Sequence, residues 1–137
     1  MFEKKITYKD YDGNEITETL NFYLSKAELA RMELTTEGSY TKWVSQLIEK
    51  RKGPEIVKAF ESLIQSSYGE KSLDGKRFVK SEEATIAFTQ TEAYSELIME
   101  LYSDPKKAAE FVIGILPNDL KEEAEKVHND MENGIVN

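Results

Sequence analysis

The chain has 137 residues, a formal net charge of −8 and no cysteine, and 39% of its residues are apolar by type. That length and apolar content suit one domain with a real core. The charge argues against binding nucleic acid or an anionic membrane, which need a basic footprint, and the missing cysteines remove disulfides, thiolate nucleophiles and Cys-based zinc sites.

The opening MFEKKITYKD has no apolar run, so no signal peptide is expected. No apolar stretch is long enough to span a bilayer. A basic protein partner is the kind this charge attracts.

A β-hairpin is predicted over residues 4–24. Lys4–Lys9 and Ile16–Leu24 flank Asp12-Gly13-Asn14, a strong hairpin signal. Leu20, Phe22 and Leu24 alternate with polar neighbours, and Ile6 and Tyr8 are the inward candidates on the first strand. A calcium loop would need its glycine later than Gly13, so the turn reading stands.

Helices are predicted next, in series. Ser25 and Glu28 form a capping box, with Leu24 and Leu29 as its hydrophobic staple. This helix runs from Lys26 to about Leu34 and offers Leu29 and Met32 to the core. The second, about Tyr40–Arg51, carries Tyr40, Trp43, Val44, Leu47 and Ile48 on one stripe. The run Glu49-Lys50-Arg51-Lys52 places cations where the helix dipole favours them. The third begins at Pro54 and carries Ile56, Val57, Phe60, Leu63 and Ile64; Gly69 reads as its left-handed cap.

Asp74-Gly75 predicts a turn into a short extended piece, Arg77–Val79, with Phe78 anchoring it. Gly69 and Gly75-Lys76 do not make a phosphate loop, because the spacing is wrong and Arg77 stands where Ser or Thr is needed. Ser81 caps a fourth helix that Gln90-Thr91 breaks or bends. Tyr94, Leu97, Ile98, Leu101 and Tyr102 form the next stripe, and Asp104-Pro105 restarts the chain for Ala108, Phe111, Val112 and Ile115. Pro117 ends that helix.

Some residues do not fit the core stripes. Glu92, Glu96 and Glu100 line one side at helical spacing, as a solvated face or a surface for a basic partner. Met99 and Ile113 fall off their stripes and are candidates for partner contact. Beyond Pro117, Leu120, Ala124, Val127 and Met131 form a narrow seam that could dock on the chain itself or on a partner. Ile135-Val136-Asn137 reads as a loose tail.

No arrangement of residues suggests catalysis. The single histidine, His128, reads as an exposed helical residue. No cofactor, metal or catalytic residue is expected. A carboxylate pair that meets only in the fold would be invisible here, so a small enzyme with an unrecognised carboxylate site stands as an alternative. An acidic adaptor or regulator of host proteins is another.

The stretch from Tyr68 to Pro117 carries one more signal. Tyr68-Gly69, Asp74-Gly75-Lys76-Arg77-Phe78, Phe88, Ala93-Tyr94-Ser95, Leu101, Ala108-Ala109-Glu110-Phe111 and Gly114-Ile115-Leu116-Pro117 resemble the tail assembly chaperones of long-tailed (siphovirus-type) bacteriophages, especially those of Gram-positive hosts. The hairpin followed by Leu24-Ser25-Lys26-Ala27-Glu28-Leu29 is similar to that family too. The resemblance implies a non-catalytic protein that binds the tape measure protein, keeps it soluble and promotes tail tube assembly around it. It implies the host cytoplasm as its place of action and absence from the mature virion. It implies the short form of a protein whose frameshifted long form recruits the tail tube protein, and it leaves room for a homo-oligomer.

The expected fold is α+β and mainly α: a two-stranded hairpin packed on a bundle of about five or six amphipathic helices. Residues 1–117 form the expected globular domain, with hairpin 4–24 and bundle 25–117. Residues 118–137 form an acidic helical arm with a loose tail.

Overall fold

The computed structural model describes the backbone of residues 1–49 and 53–132, and the side chains of 1–46 and 53–129. The side chains of Leu47, Ile48 and Met131, the basic run 50–52 and the tail 133–137 lie outside the described residues.

Strands β1 (Phe2–Lys9) and β2 (Glu15–Phe22) form the hairpin, in register from Phe2↔Phe22 to Lys9↔Glu15. The turn closes on itself. Asp10 Oδ1 accepts from the N–H groups of Asp12 (3.0 Å) and Asn14 (2.9 Å), and Gly13 takes a φ of +84°. Ile6, Leu20 and Phe22 are buried on the inner face, as their alternation predicts. Leu24 is buried as well, one step past the strand.

The sheet is wider than the hairpin. Strands β3 (Tyr68–Lys71) and β4 (Phe78–Val79) extend it to four strands in the order β1-β2-β3-β4. Helix α3 (Pro54–Ser67) passes into β3 without a loop: Tyr68 already has φ −65°, ψ 138°. This corrects the reading of Gly69 as a left-handed cap. Gly69 sits in the strand because the Phe78 ring lies over it; a Cβ there would stand 2.6 Å from Phe78 Cε2. Between β3 and β4, Asp74 Oδ1 accepts from Ser72 Oγ (2.7 Å) and Lys76 N (3.0 Å), so this is a tight turn.

Helix α1 (Lys26–Arg31) has the expected capping box, with Ser25 Oγ accepting from Glu28 N and Glu28 Oε1 accepting from Ser25 N. It stops earlier than the sequence suggests. Leu34 N donates to Leu29 O (2.8 Å) and Glu33 N to Ala30 O (3.0 Å), with Glu33 at φ +60°. That is a Schellman turn with a non-glycine residue in the left-handed position. It buries Leu34 on the core and leaves Met32, expected inside, 37% exposed.

Helices α2 (Ser39–Glu49), α4 (Glu82–Thr89), α5 (Glu92–Ser103), α6 (Pro105–Gly114) and α7 (Asn118–Glu132) complete the described chain. Gln90-Thr91 is a break: Thr91 Oγ1 accepts from Tyr94 N and starts α5. Asp104 caps α6 through the N–H groups of Lys106 and Lys107. Tyr102, placed on the buried stripe of α5 by spacing, is 44% exposed. It lies one turn past Ile98, on the last turn of α5.

Phe22 and Phe111, both fully buried, meet edge to face at 5.3 Å. Phe2 packs on Phe111 at 5.5 Å, and Phe88 stacks on Tyr68 at 4.2 Å. Gly114 leaves room for the Phe2 ring, which a Cβ would strike. Backbone bonds fasten the sheet to the helix ends: Tyr23 N donates to Ser67 O and Leu24 N to Ile115 O. Lys80 adds a hub that the sequence did not reveal. Its Nζ donates to Tyr23 O (2.6 Å), Ser66 O (2.9 Å) and Glu28 Oε2 (2.6 Å).

Candidate functional site

Helices α2, α3, α6 and α7 leave an apolar groove between them. Its volume is about 370 Å³, within the range of pockets that hold ligands or side chains of a partner. Its lining includes Val44 of α2, Ile56 and Phe60 of α3, Leu101 and Tyr102 of α5, and Val112 and Ile113 of α6. Three small residues, Ala108, Ala109 and Ala124, also line it, and small residues let another backbone come close.

The sequence sets this up locally. Pro105 at the first turn fixes where α6 begins, and Ala108-Ala109 then present little bulk. Pro117 turns the chain so that α7 packs back against α6, where Ala124 is 6% exposed. Tyr40 shows the groove only its ring. Its hydroxyl donates to Val112 O at 2.7 Å, and burial pushes its pKa well up. Polar tethers help hold α7: Glu123 Oε1 accepts from Gly38 N (2.6 Å), and Lys26 pairs with Asp119 (2.6 Å).

The residues nominated from sequence fall into separate groups. Ile113 and Ala124 line the groove together. Leu120 is half-buried and packs on the core beside them, and Val127 is half-buried. His128, read as exposed, is half-buried at the groove's rim, because α7 lies against the body along this stretch.

Met99, Glu96 and Glu100 lie elsewhere, along β1. Met99 is 55% exposed, Glu96 exposed and Glu92 half-buried. The three glutamates are not one uniform acidic face. A single oxygen of Glu100 accepts from Lys4 (2.7 Å) and Lys107 (2.6 Å), clamping β1 to α5 and α6. Partial burial raises its pKa, but hydrogen bonds from the two lysines outweigh that and hold it below the ordinary carboxylate value. Among the described residues, no three His, Asp or Glu side chains gather in a metal-holding group.

Val44 and Phe60, read as core from their spacing, are buried in the core, and Ile56 packs on it; that all three also line the groove was not legible in the sequence. Spacing alone cannot separate a residue under another helix from one beside a gap. The available hint was the lack of bulk at Ala108, Ala109 and Ala124.

The sequence profile of phage tail assembly chaperones matches residues 1–135. The chain belongs to that family. Neither a curated protein nor a solved structure matches it. Among phage tail assembly chaperones, then, this one combines an acidic, mainly helical body with an apolar groove, and no helix among its described residues is long and apolar enough to cross a membrane.

Proposed function

We propose that this tail assembly chaperone holds an amphipathic helical segment of the tape measure protein in the groove between α2, α3, α6 and α7. The observation that carries the reading is the groove's lining, which is mostly apolar and includes three alanines. A helix presents its apolar residues at spacings that suit such a trough. The net charge of −8 favours a client with basic flanks and keeps the complex soluble.

On this reading the protein is non-catalytic and works in the host cytoplasm before the tail is complete. It keeps the client from aggregating and releases it as the tail tube grows. The phage on this reading infects a Gram-positive host, and a frameshifted long form would bring the tail tube protein.

Ala109→Trp fills the groove from a half-buried position. Co-expressed with a tape measure fragment, it should leave the client insoluble while the variant itself stays folded. Ile86→Glu, at an exposed site on α4, is the control and should keep the client soluble. Full client solubility with Ala109→Trp would remove the groove from the mechanism.

A further inference from the structure

Strand β2 loses its neighbour partway along. Among the described residues β3 pairs with β2 only through Asn21↔Gly69 and Phe22↔Tyr68, and then pairs with β4 from Glu70 and Lys71. From Glu15 to Leu20 that edge of β2 has no strand beside it. A cleft of about 500 Å³ lies there, lined by residues of β2, β3 and α4.

The ladder decides which backbone groups face the cleft. Asp10 N donates to Asn14 O, in line with the hairpin register. Hydrogen-bonded pairs alternate along an antiparallel ladder, so the even-numbered residues of β2 bond to β1 and the odd-numbered ones turn to the other side. Tyr23 N donates to Ser67 O on that side, which agrees with this parity. Thr17 and Thr19 therefore point N–H and C=O groups at the open edge, where no strand among the described residues takes them up.

The side chains make the cleft selective. Alternation puts Glu18 on the inner face of β2 with Leu20, and Tyr8, Tyr68 and Phe88 line the same cleft. Tyr8 Oη donates to Glu18 Oε1 at 2.9 Å, which leaves the other carboxylate oxygen to a visitor. Burial raises the pKa of the Tyr68 phenol, and the charges of Glu70 and Glu18 raise it further, so both carboxylates act on that ring. Lys71 lines the cleft too, but its ammonium is engaged by Glu3 at 3.4 Å. Carboxylates beside aromatic rings are the surroundings that hold a cation. An inward-facing charge on an edge strand turns away an apolar strand. A strand with a cation opposite Glu18 meets attraction instead.

We propose that the open edge of β2 takes an extended segment of a partner protein as an added strand, with an arginine or lysine of that segment opposite Glu18. Its backbone bonds to Thr17 and Thr19, and its cation takes the non-hydrogen-bonded position between them, where facing side chains come closest. Residues two places away on either side fall on the same inner face, towards Leu20 and Ile16, so apolar side chains suit them. The net charge of −8 draws such a segment in. The cleft shares no lining residue with the groove between α2, α3, α6 and α7, so the two sites are tested separately.

Titration of the isotopically labelled full chain with the end-blocked peptide Val-Thr-Arg-Thr-Val, followed by amide NMR spectra, tests this. Saturable shifts should centre on the Thr17 and Thr19 amides and leave Ala109 and Ile113 in the groove unmoved. Glu18→Gln keeps an acceptor for Tyr8 but loses the charge, and should weaken binding about threefold. Thr17→Pro removes an outward N–H that the chain itself does not use, and should abolish binding. The peptide with glutamate in place of arginine should not bind. The proposal is overturned by the absence of a saturable shift, by shifts centred on the groove, or by equal binding of the glutamate peptide. A folded Thr17→Pro that binds like the wild type overturns it too. If Thr17→Pro does not fold, Glu18→Gln decides, and unchanged affinity there ends the proposal. Shifts of Thr17 and Thr19 that follow protein concentration alone would give the edge to a second copy and end it as well.

Discussion

The two sides of this molecule are built differently. On the sheet side, Phe2, Phe22, Phe88 and Phe111 interlock, and backbone bonds tie β2 to the ends of α3 and α6. On the groove side, the contacts of α7 with the body include Leu120, Ala124 and the polar tethers of Glu123 and Asp119. Buried aromatic area brings several kcal/mol per residue, whereas an alanine brings much less. One side is closed and fixes the fold. The other leaves a gap lined by apolar side chains, the place proposed above for the client.

The largest effect should come from the closed side. Phe111→Ala removes a fully buried ring that Phe2 and Phe22 both contact. The expected loss is about 3–5 kcal/mol in urea denaturation. Phe60→Ala sits nearer the groove at 4% exposed, and the same range holds if its cavity cannot collapse. Hydrogen exchange sharpens the contrast: the β2 amides that bond to β1, Leu20 and Phe22 among them, should exchange only on global unfolding, and α7 amides by local opening. Equal protection in both would break the comparison.

Lys80 stands where the two sides join, so its loss should have the next largest effect. Lys80→Met leaves Tyr23 O, Ser66 O and Glu28 short of a donor, at a cost of about 1–3 kcal/mol. The pH dependence has a defined sign. Burial raises the pKa of Glu28, but hydrogen bonds from Lys80 and Ser25 outweigh it and hold the pKa below its ordinary value of 4.5. A carboxylate depressed in the folded state contributes stability that is full above the unfolded value and is lost as pH falls through the folded one. Wild-type stability should therefore drop on acidification below about pH 4.5, the reference value for Glu28, more steeply than that of Lys80→Met. Parallel curves would mean that this ion pair contributes nothing.

Much of the closed side was legible in the sequence. Capping residues, alternation and stripes are local signals, and they located the hairpin, the starts of α1, α4 and α6, and the buried Phe60 and Phe111. What escaped depends on contacts between distant residues. The four-stranded sheet needs Tyr68 beside Phe22, and Gly69 makes sense only with Phe78 above it. Lys80 is an ordinary lysine until three acceptors converge on it. The groove escaped for the same reason, since it is a gap between helices rather than a pattern along one. Ile113 and Ala124 could be nominated singly, but Val44, Ile56 and Phe60 become groove residues only once α6 and α7 are in place.

The smallest expected effect tests how the open side begins. The turn after α1 sends the chain toward α2, which lines the groove, and it holds Glu33 at φ +60°. A side chain in that conformation crowds its own backbone, at a cost of roughly 1–2 kcal/mol, and glycine avoids it. Glu33 is exposed, so its side chain brings little burial in return. Glycine also has more freedom to lose on folding, which takes back part of the gain. Glu33→Gly should therefore stabilise the chain by about 0.5–1 kcal/mol, read as a higher urea midpoint at unchanged slope. Because Leu29 and Leu34 clasp this turn from within the core, the gain should appear in global unfolding. If Glu33→Gly instead slows exchange only in α2 and leaves the midpoint alone, the open side unfolds as a unit of its own, and the contrast between the two sides is sharper than their contacts imply.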